Sequence, residues 1–211
     1  MKKWLWSHNA YYHRLLLRQV PPSSRRALDV GCGAGGFATE LAKNIDRVDA
    51  LDRSPVMIDE ARKSVPPNVT CILGDVLEEP LPADTYDAIV SISTLHHMPL
   101  DEVLPILAKA LRPGGVLAVI ALPRPDLPRE LPVELVAAIG QRLLAATFLA
   151  LRAVTPGAWF AHEPSHDAMP VNLDPPLSTR EVRERASALL PGACVRRLVY
   201  WRYFLTWHKP L

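Results

Sequence analysis

Several glycines and an aspartate share the stretch LDVGCGAGG, residues 28–36, and these residue types are suited to binding a nucleotide-like ligand. Gly31, Gly33 and Gly36 have the spacing G-x-G-x-x-G of a dinucleotide-binding turn. Glycines in such a turn let a ligand approach the backbone, and the helix that follows offers free N–H groups. The spacing by itself leaves a phosphate, a pyrophosphate or a carboxylate open as the ligand.

Three acidic residues narrow this choice because each stands where a strand is expected to end. Asp29 lies inside the glycine motif, Asp52 ends the second apolar run, and Asp75 follows the third. A carboxylate at Asp29 suits a ligand with positive charge, such as a sulfonium or an ammonium. Asp52 is placed to accept hydrogen bonds from ribose hydroxyls, and Asp75 from an exocyclic amine.

Apolar runs that alternate with helical patterns predict an α/β fold with a parallel sheet covered on both faces. Strands are predicted over 27–30, 48–52, 69–73, 87–92 and 116–122. Helices are predicted over 4–19, around Phe37 and Leu41, from Ser54, and over 101–111, 133–152 and about 178–190. The aromatic, β-branched end of the chain predicts two strands that meet near residues 200–202.

Composition predicts one globular domain over 1–211 and excludes some partners. The 211 residues are 49% hydrophobic, with 24 basic and 22 acidic residues, so no strong footprint for nucleic acid or an anionic membrane is expected. Three cysteines without metal-site spacing, and no signal peptide, predict reduced thiols and a cytoplasmic protein. The apolar helix over 133–152 is interrupted by polar residues, so we expect a pocket cover or a dimer face there rather than a membrane span.

Four stretches together resemble the class I S-adenosylmethionine-dependent methyltransferases of the broad small-molecule group. They are LDVGCGAGG, VDALDRSPVMIDEAR, ILGDVLEEPLPADTYDAIVSISTLHHM and LRPGGVLAVIAL, and they cover residues 27–122. The resemblance implies a Rossmann-like three-layer sandwich with a seven-stranded, mostly parallel sheet whose last strand is antiparallel. It also implies S-adenosylmethionine as cofactor, S-adenosylhomocysteine as product, and a small, partly hydrophobic acceptor whose reacting atom is oxygen, nitrogen or carbon.

The resemblance further implies roles for single residues. Gly31 and Gly33, with Cys32 between them, would approach the methionine part of the cofactor, while Asp52 would bind the ribose and Asp75 the adenine amine. The other expected cofactor contacts are Tyr11, Asp29, Arg53, Met57, Val76 and Ser91.

Two histidines, His96 and His97, follow the fourth predicted strand in STLHHM and are the candidates for acceptor chemistry. A neutral imidazole there can take a proton from a hydroxyl, or can position the acceptor. The alternative is that these rings only pack against the cofactor end or hold the loop.

Two segments outside the motifs are expected to complete the site. An N-terminal helix within residues 1–22 is expected to close over the cofactor cleft, with Tyr11 or Tyr12 near the cofactor carboxylate; plain packing on the sheet is the alternative. The insert over 123–177 is the expected acceptor wall. Its aromatic and histidine residues are Trp159, Phe160, His162 and His166.

Two other functions are also compatible with these motifs. One alternative is an NAD(P)-dependent oxidoreductase, and another is an S-adenosylmethionine-binding protein of the same fold that does not methylate. HEPSH at 162–166 fits the H-E-x-x-H pattern of zinc proteases, but Pro164 is incompatible with the helix that this motif requires. We therefore expect no metal, no nucleic acid or membrane partner, and a monomer or homodimer.

Overall fold

Seven strands form a single sheet in the computed structural model, which describes residues 7–127, 129–154 and 174–211. The strands are β1 Arg26–Val30, β2 Arg47–Asp52, β3 Val69–Leu73, β4 Tyr86–Ile92, β5 Leu111–Ala121, β6 Cys194–Leu198 and β7 Arg202–His208. The helices are α1 His8–Leu17, α2 Gly36–Leu41, α3 Pro55–Ser64, α4 Leu100–Ala110, α5 Leu131–Val154 and α6 Thr179–Leu189. A short 3-10 helix spans Leu95–His97.

The strand order is β3-β2-β1-β4-β5-β7-β6. Strands β1 to β5 run parallel to one another, whereas β7 runs antiparallel to both β5 and β6. The predicted seven-stranded, mostly parallel sheet is therefore confirmed. Because the parallel strands end on one edge, the loops after β1, β2, β3 and β4 meet there, as expected for ligand sites of open α/β sheets.

Two apolar cores lie on the two faces of the sheet. One contains Leu16 of α1, Phe37 of α2 and Phe148 of α5, and the other contains Leu104 of α4 and Val182 of α6. The central strands are buried on both faces, which explains why they read as continuous apolar runs rather than alternating patterns.

Side-chain caps fix the starts of two helices as the sequence predicts. Ser54 caps α3 by accepting from the Met57 N–H, with Pro55 at the first helical position. Ser178 and Glu181 form a reciprocal capping box at the start of α6.

Helix α4, at Leu100–Ala110, matches its predicted bounds of 101–111 to within one residue, and it contains Pro105 in its interior. Strand β5 begins at Leu111, directly after α4 and five residues before its predicted start at 116. It therefore includes Gly114, which has a φ of +76°.

Helix α5 is long and apolar enough to cross a membrane by length and composition alone, since Leu131–Leu151 spans 21 residues with a mean hydropathy of 1.5. The expected role of this helix, as a pocket cover or a dimer face, stays a prediction. Large apolar side chains on α5 are more than half exposed, namely Leu135, Val136, Ile139 and Leu143. Its other side is tied to the domain, because Glu134 accepts from Trp201 Nε1 at 2.6 Å and Gln141 bonds to His8 at 2.6 Å.

Candidate active site

A cavity lies at the carboxyl ends of β1, β2, β3 and β4 and is covered by the first turns of α1. The residues that line it are contributed by α1, by the glycine turn and by the loops after the strands. They are Ser7, Asn9, Ala10, His13, Val30, Gly31, Cys32, Gly33, Ala34, Gly36, Phe37, Leu51, Asp52, Arg53, Ser54, Met57, Gly74, Asp75, Val76, Ile92, Ser93, Thr94, His97 and Met98. The sheet edge that the sequence predicts as the ligand site is therefore the edge that holds the cavity.

The glycine turn after β1 is held by the neighbouring strand and by the loop after β4. The N–H groups of Gly31 and Cys32 both donate to the Leu51 carbonyl, at 2.8 and 3.0 Å. Gly31 has a φ of +75°, and a Cβ placed on it would lie 2.1 Å from Thr94 Oγ1. Glycine is thus required here by backbone conformation and by the close approach of Thr94.

Asp52 is fixed at the end of β2 by two main-chain donors. Its Oδ2 accepts from the Gly33 N–H at 2.9 Å and its Oδ1 from the Ser54 N–H at 2.8 Å. The carboxylate is partly exposed and lines the cavity, so it retains acceptor capacity for a ligand. This side chain therefore couples the glycine turn to the start of α3 and presents negative charge to the cavity.

Asp75 occupies the equivalent place after β3. Its Oδ1 accepts from the Leu77 N–H at 3.0 Å, and the residue lines the cavity. Val76 and Met57, each 2% exposed, form an apolar wall beside it, and Arg53 completes the rim. Together with Asp52, five of the predicted cofactor contacts are thus grouped between the ends of β2 and β3.

Asp29 lies beneath the glycine turn rather than in the cavity wall. It is fully buried, and neither carboxylate oxygen has a hydrogen-bond partner among the described residues. Burial, and secondarily the charge of Asp52, raises the pKa of Asp29 to about 7. An ionised carboxylate at this position is stabilised by a positively charged group above it.

The two histidines have different surroundings. His97 lines the cavity, whereas His96 is buried in a separate small cavity between Tyr203 and the 175–177 segment. Their ring centroids are 4.0 Å apart. Burial, then the neighbouring His97 and Arg202, lowers the pKa of His96 to about 3, and burial together with Arg53 lowers the pKa of His97. Only His97 is placed to meet a ligand in the main cavity.

Two further predicted contacts are not placed at the cavity. Ser91 is fully buried and donates to the Val30 carbonyl at 2.8 Å, so it ties β4 to β1 instead of facing a ligand. Tyr11 packs edge-on against Tyr12 and Tyr200, and the Tyr12 hydroxyl donates to the Val199 carbonyl. Neither tyrosine lines the cavity, because both belong to the contact between α1 and the β6–β7 hairpin.

The α1 residues that do reach the cavity, Asn9, Ala10 and His13, were not predicted as contacts. Neither were Ser93 and Thr94 in the loop after β4. Helical spacing gave one signal, since residues 9 and 13 are one turn apart. The predicted acceptor wall at Trp159, Phe160, His162 and His166, with the HEPSH segment, lies outside the described residues.

Comparison with known proteins assigns this arrangement to a family. Residues 27–115 match the model of the methyltransferase domain. The chain is 33% identical over 208 residues to an uncharacterized methyltransferase of Mycobacterium tuberculosis, covering 98% of each chain. It is also 33% identical over 101 residues to a sterol 24-C-methyltransferase of Aspergillus fumigatus, covering 44% of this chain and 27% of that protein.

Solved structures support the same assignment of the fold. A putative S-adenosylmethionine-dependent methyltransferase from Listeria monocytogenes matches with a TM-score of 0.62 and 14% identity, covering 96% of this chain and all of the other. The chain belongs to the class I S-adenosylmethionine-dependent methyltransferases. This membership favours S-adenosylmethionine over the nicotinamide cofactor of the oxidoreductase alternative.

The described residues fit S-adenosylmethionine. Asp52 and Asp75 supply acceptors for ribose and adenine donors, and Val76 and Met57 supply an apolar wall for the ring. The carboxylate of Asp52, which lines the cavity, suits a ligand with positive charge. These residues therefore provide the acceptors, the apolar surface and the negative charge that this cofactor calls for.

Proposed function

We propose that the protein transfers a methyl group to a small, partly hydrophobic acceptor that enters the cavity beyond the end of β4. The observation that carries this proposal is the cover over the cavity, because Ser7, Asn9, Ala10 and His13 of the α1 segment lie across it. A covered cavity suits a molecule that can be enclosed, rather than a polymer lying across an open groove. The near balance of 24 basic and 22 acidic residues also disfavours a nucleic acid.

The wall beyond β4 mixes apolar and titratable groups. Ile92 and Met98 supply apolar surface, and His97 supplies an imidazole. Since burial and Arg53 lower the pKa of His97, its ring is neutral near pH 7 and can accept a proton. We assign His97, rather than His96, the role of taking the acceptor's proton or positioning the acceptor.

The chain's own contribution is mainly alignment and exclusion of water. When bound, S-adenosylmethionine supplies a methyl group on a positively charged sulfur. Asp52 and Asp75 orient the nucleoside, and the α1 segment covers the cavity. His97 accepts the proton of an acceptor hydroxyl or amine, or positions the acceptor. Alignment of this kind supplies much of the rate enhancement in displacement reactions.

The test is turnover with a panel of small acceptors, measured as release of S-adenosylhomocysteine. With the best acceptor, His97→Gln should lower kcat by about 100-fold, the lower range for loss of a general base, and leave cofactor affinity within about twofold. The wild-type rate should fall at acid pH, below the ordinary histidine pKa, and be flat above it. His208→Gln, at an exposed position, serves as the control.

Two results would contradict the proposal. If no acceptor in the panel is methylated although the cofactor still binds, the proposal of a small-molecule acceptor is contradicted. If kcat is unchanged in His97→Gln, His97 does not transfer a proton and only packs against its neighbours.

A further inference from the structure

Two arginines of the β6–β7 hairpin are paired very differently. Arg197 forms ion pairs with Glu130 at 3.2 Å and with Glu134. Arg202, at the first position of β7, has no ion pair with any carboxylate of the described residues, and its Nε is buried without a hydrogen-bond partner. Burial lowers the pKa of Arg202 to about 10. A guanidinium that loses water without gaining an anion costs free energy, which makes this unpaired charge notable.

The partners that Arg202 does have lead to the cavity. Its Nη1 donates to the carbonyls of Trp201 and Tyr200, at 3.2 and 3.4 Å, and its Nη2 donates to Asn9 Oδ1 at 3.3 Å. Asn9 lines the cavity. Arg202 therefore does not line the cavity itself, but it is connected to the cavity wall by its hydrogen bond to Asn9.

The orientation of the Asn9 amide follows from its two neighbours. Oδ1 accepts from Arg202 and also from Ser93 Oγ at 2.7 Å. A guanidinium only donates, so the amide atom facing it must be the oxygen. Asn9 Nδ2 has no partner among the described residues, and it remains as a donor on the side chain that lines the cavity.

Ser93 adds a sign of functional constraint at this point. It has a φ of +56°, which is uncommon for a residue other than glycine, and its N–H donates to the Ile120 carbonyl at 2.7 Å. The residue follows β4 and lines the cavity, so the strained backbone presents the hydroxyl to Asn9 at the end of the cavity beyond β4.

We propose that Asn9 and Arg202 form a carboxylate-binding pole of the cavity, with Asn9 Nδ2 donating to a carboxylate oxygen and the guanidinium behind it supplying the opposite charge. This inference rests on the proposed function, since it assumes that cofactor and acceptor share this cavity. The carboxylate belongs either to the amino-acid part of the cofactor or to an acidic acceptor.

The test is Asn9→Asp, which keeps an oxygen facing Ser93 and Arg202 but replaces the donor with an acceptor. Calorimetry on the full chain compares S-adenosylhomocysteine with methylthioadenosine, which has the nucleoside and thioether but no carboxylate. If the pole binds the cofactor, the variant's Kd for S-adenosylhomocysteine should rise at least tenfold while its Kd for methylthioadenosine stays within twofold.

The second arm addresses an acidic acceptor. A panel of small mono- and dicarboxylates is titrated into protein saturated with S-adenosylhomocysteine. If the pole binds the acceptor, at least one carboxylate should bind the wild type and bind Asn9→Asp at least tenfold more weakly, with both nucleoside affinities unchanged.

A second pair of variants guards against a simple folding defect. Arg202→Met should weaken the same carboxylate ligand, and Arg202→Lys, which keeps the charge, should recover part of the loss. Asn44→Asp, an exposed position with the same change of charge, should bind as the wild type does.

Two outcomes overturn the pole. One is equal weakening of S-adenosylhomocysteine and methylthioadenosine, which would show a general disturbance of the cavity. The other is no effect of Asn9→Asp on any carboxylate ligand. If Asn9→Asp has no effect on any carboxylate ligand while wild type and variant methylate an acceptor at equal rates, the pole is overturned and the proposed function stands.

Discussion

Two parts of the cavity are built from contacts of different range: the proposed cofactor side, at the ends of β2 and β3, and the proposed acceptor side, beyond the end of β4. On the cofactor side, Asp52 holds the Gly33 N–H, 19 residues away in the sequence. Behind the end of the cavity beyond β4, Arg202 donates to Asn9 across 193 residues of sequence, and His8 of α1 bonds to Gln141 of α5 across 133. The cofactor side is therefore encoded in a short continuous stretch, whereas the acceptor side requires α1, α5 and the β6–β7 hairpin to meet.

The largest loss of stability on the proposed cofactor side is expected from Gly31→Ala. The new Cβ would overlap Thr94 Oγ1 and would also occupy a positive φ, so we expect the free energy of unfolding to fall by about 3 kcal/mol or more. Chemical denaturation measures this change. Gly192→Ala, with a φ of +87° but no atom within 4 Å, isolates the backbone cost and should lose only about 1 kcal/mol. Equal losses would show that the contact with Thr94 is unimportant.

On the proposed acceptor side, Glu134→Gln is expected to weaken the contact between α5 and the β6–β7 hairpin. This change removes an ion pair from α5 to Arg197, leaving Glu130 as the remaining acidic partner, so we expect a loss of about 2 kcal/mol. Denaturation followed by circular dichroism measures it, with nucleoside affinity expected to stay within twofold. Glu40→Gln, which breaks a surface pair with Lys43, should cost less than about 0.5 kcal/mol. A loss of nucleoside affinity in Glu134→Gln would contradict the separation of the two sides.

The smallest effect is expected on cofactor affinity, from a substitution of Asp52. Asp52→Asn replaces an acceptor of two main-chain N–H groups with a side chain that can keep only one, so affinity for S-adenosylhomocysteine should weaken by about 1–2 kcal/mol. Calorimetry measures this, and Asp59→Asn on the exposed face of α3 provides the same change of charge. Unchanged affinity in Asp52→Asn would remove this carboxylate from the cofactor site.

The sequence predicts the two sides unequally for a physical reason. Strand β3 was predicted with its observed bounds, 69–73, and Asp52 and Asp75 were predicted at the cavity, because strand periodicity and motif spacing are local. The distinction between His96 and His97 was not predictable, since neighbouring residues of a 3-10 turn point to different cavities. Ser91 was misplaced because its position at the end of β4 does not reveal which face of the sheet its hydroxyl meets.

The contact between Asn9 and Arg202 had no local signal at all. Asn9 looks like an ordinary helix-start residue, and Arg202 looks like a polar residue in an aromatic hairpin. Their meeting depends on β7 entering the sheet between β5 and β6, which spacing within either segment does not encode.

The antiparallel direction of β7 has a consequence for how this enzyme can diversify. Because β7 runs against β5, the tight bend at Tyr200 and Trp201, with φ values of +59° and +58°, falls on the same edge as the tips of the parallel strands. Insertions or exchanges in that bend would change the surface against which Tyr11 and Tyr12 of α1 pack, without touching the loops that hold Asp52 and Asp75. The bend is therefore a short region in which the helix that covers the cavity can be repositioned while the ends of β2 and β3 are kept.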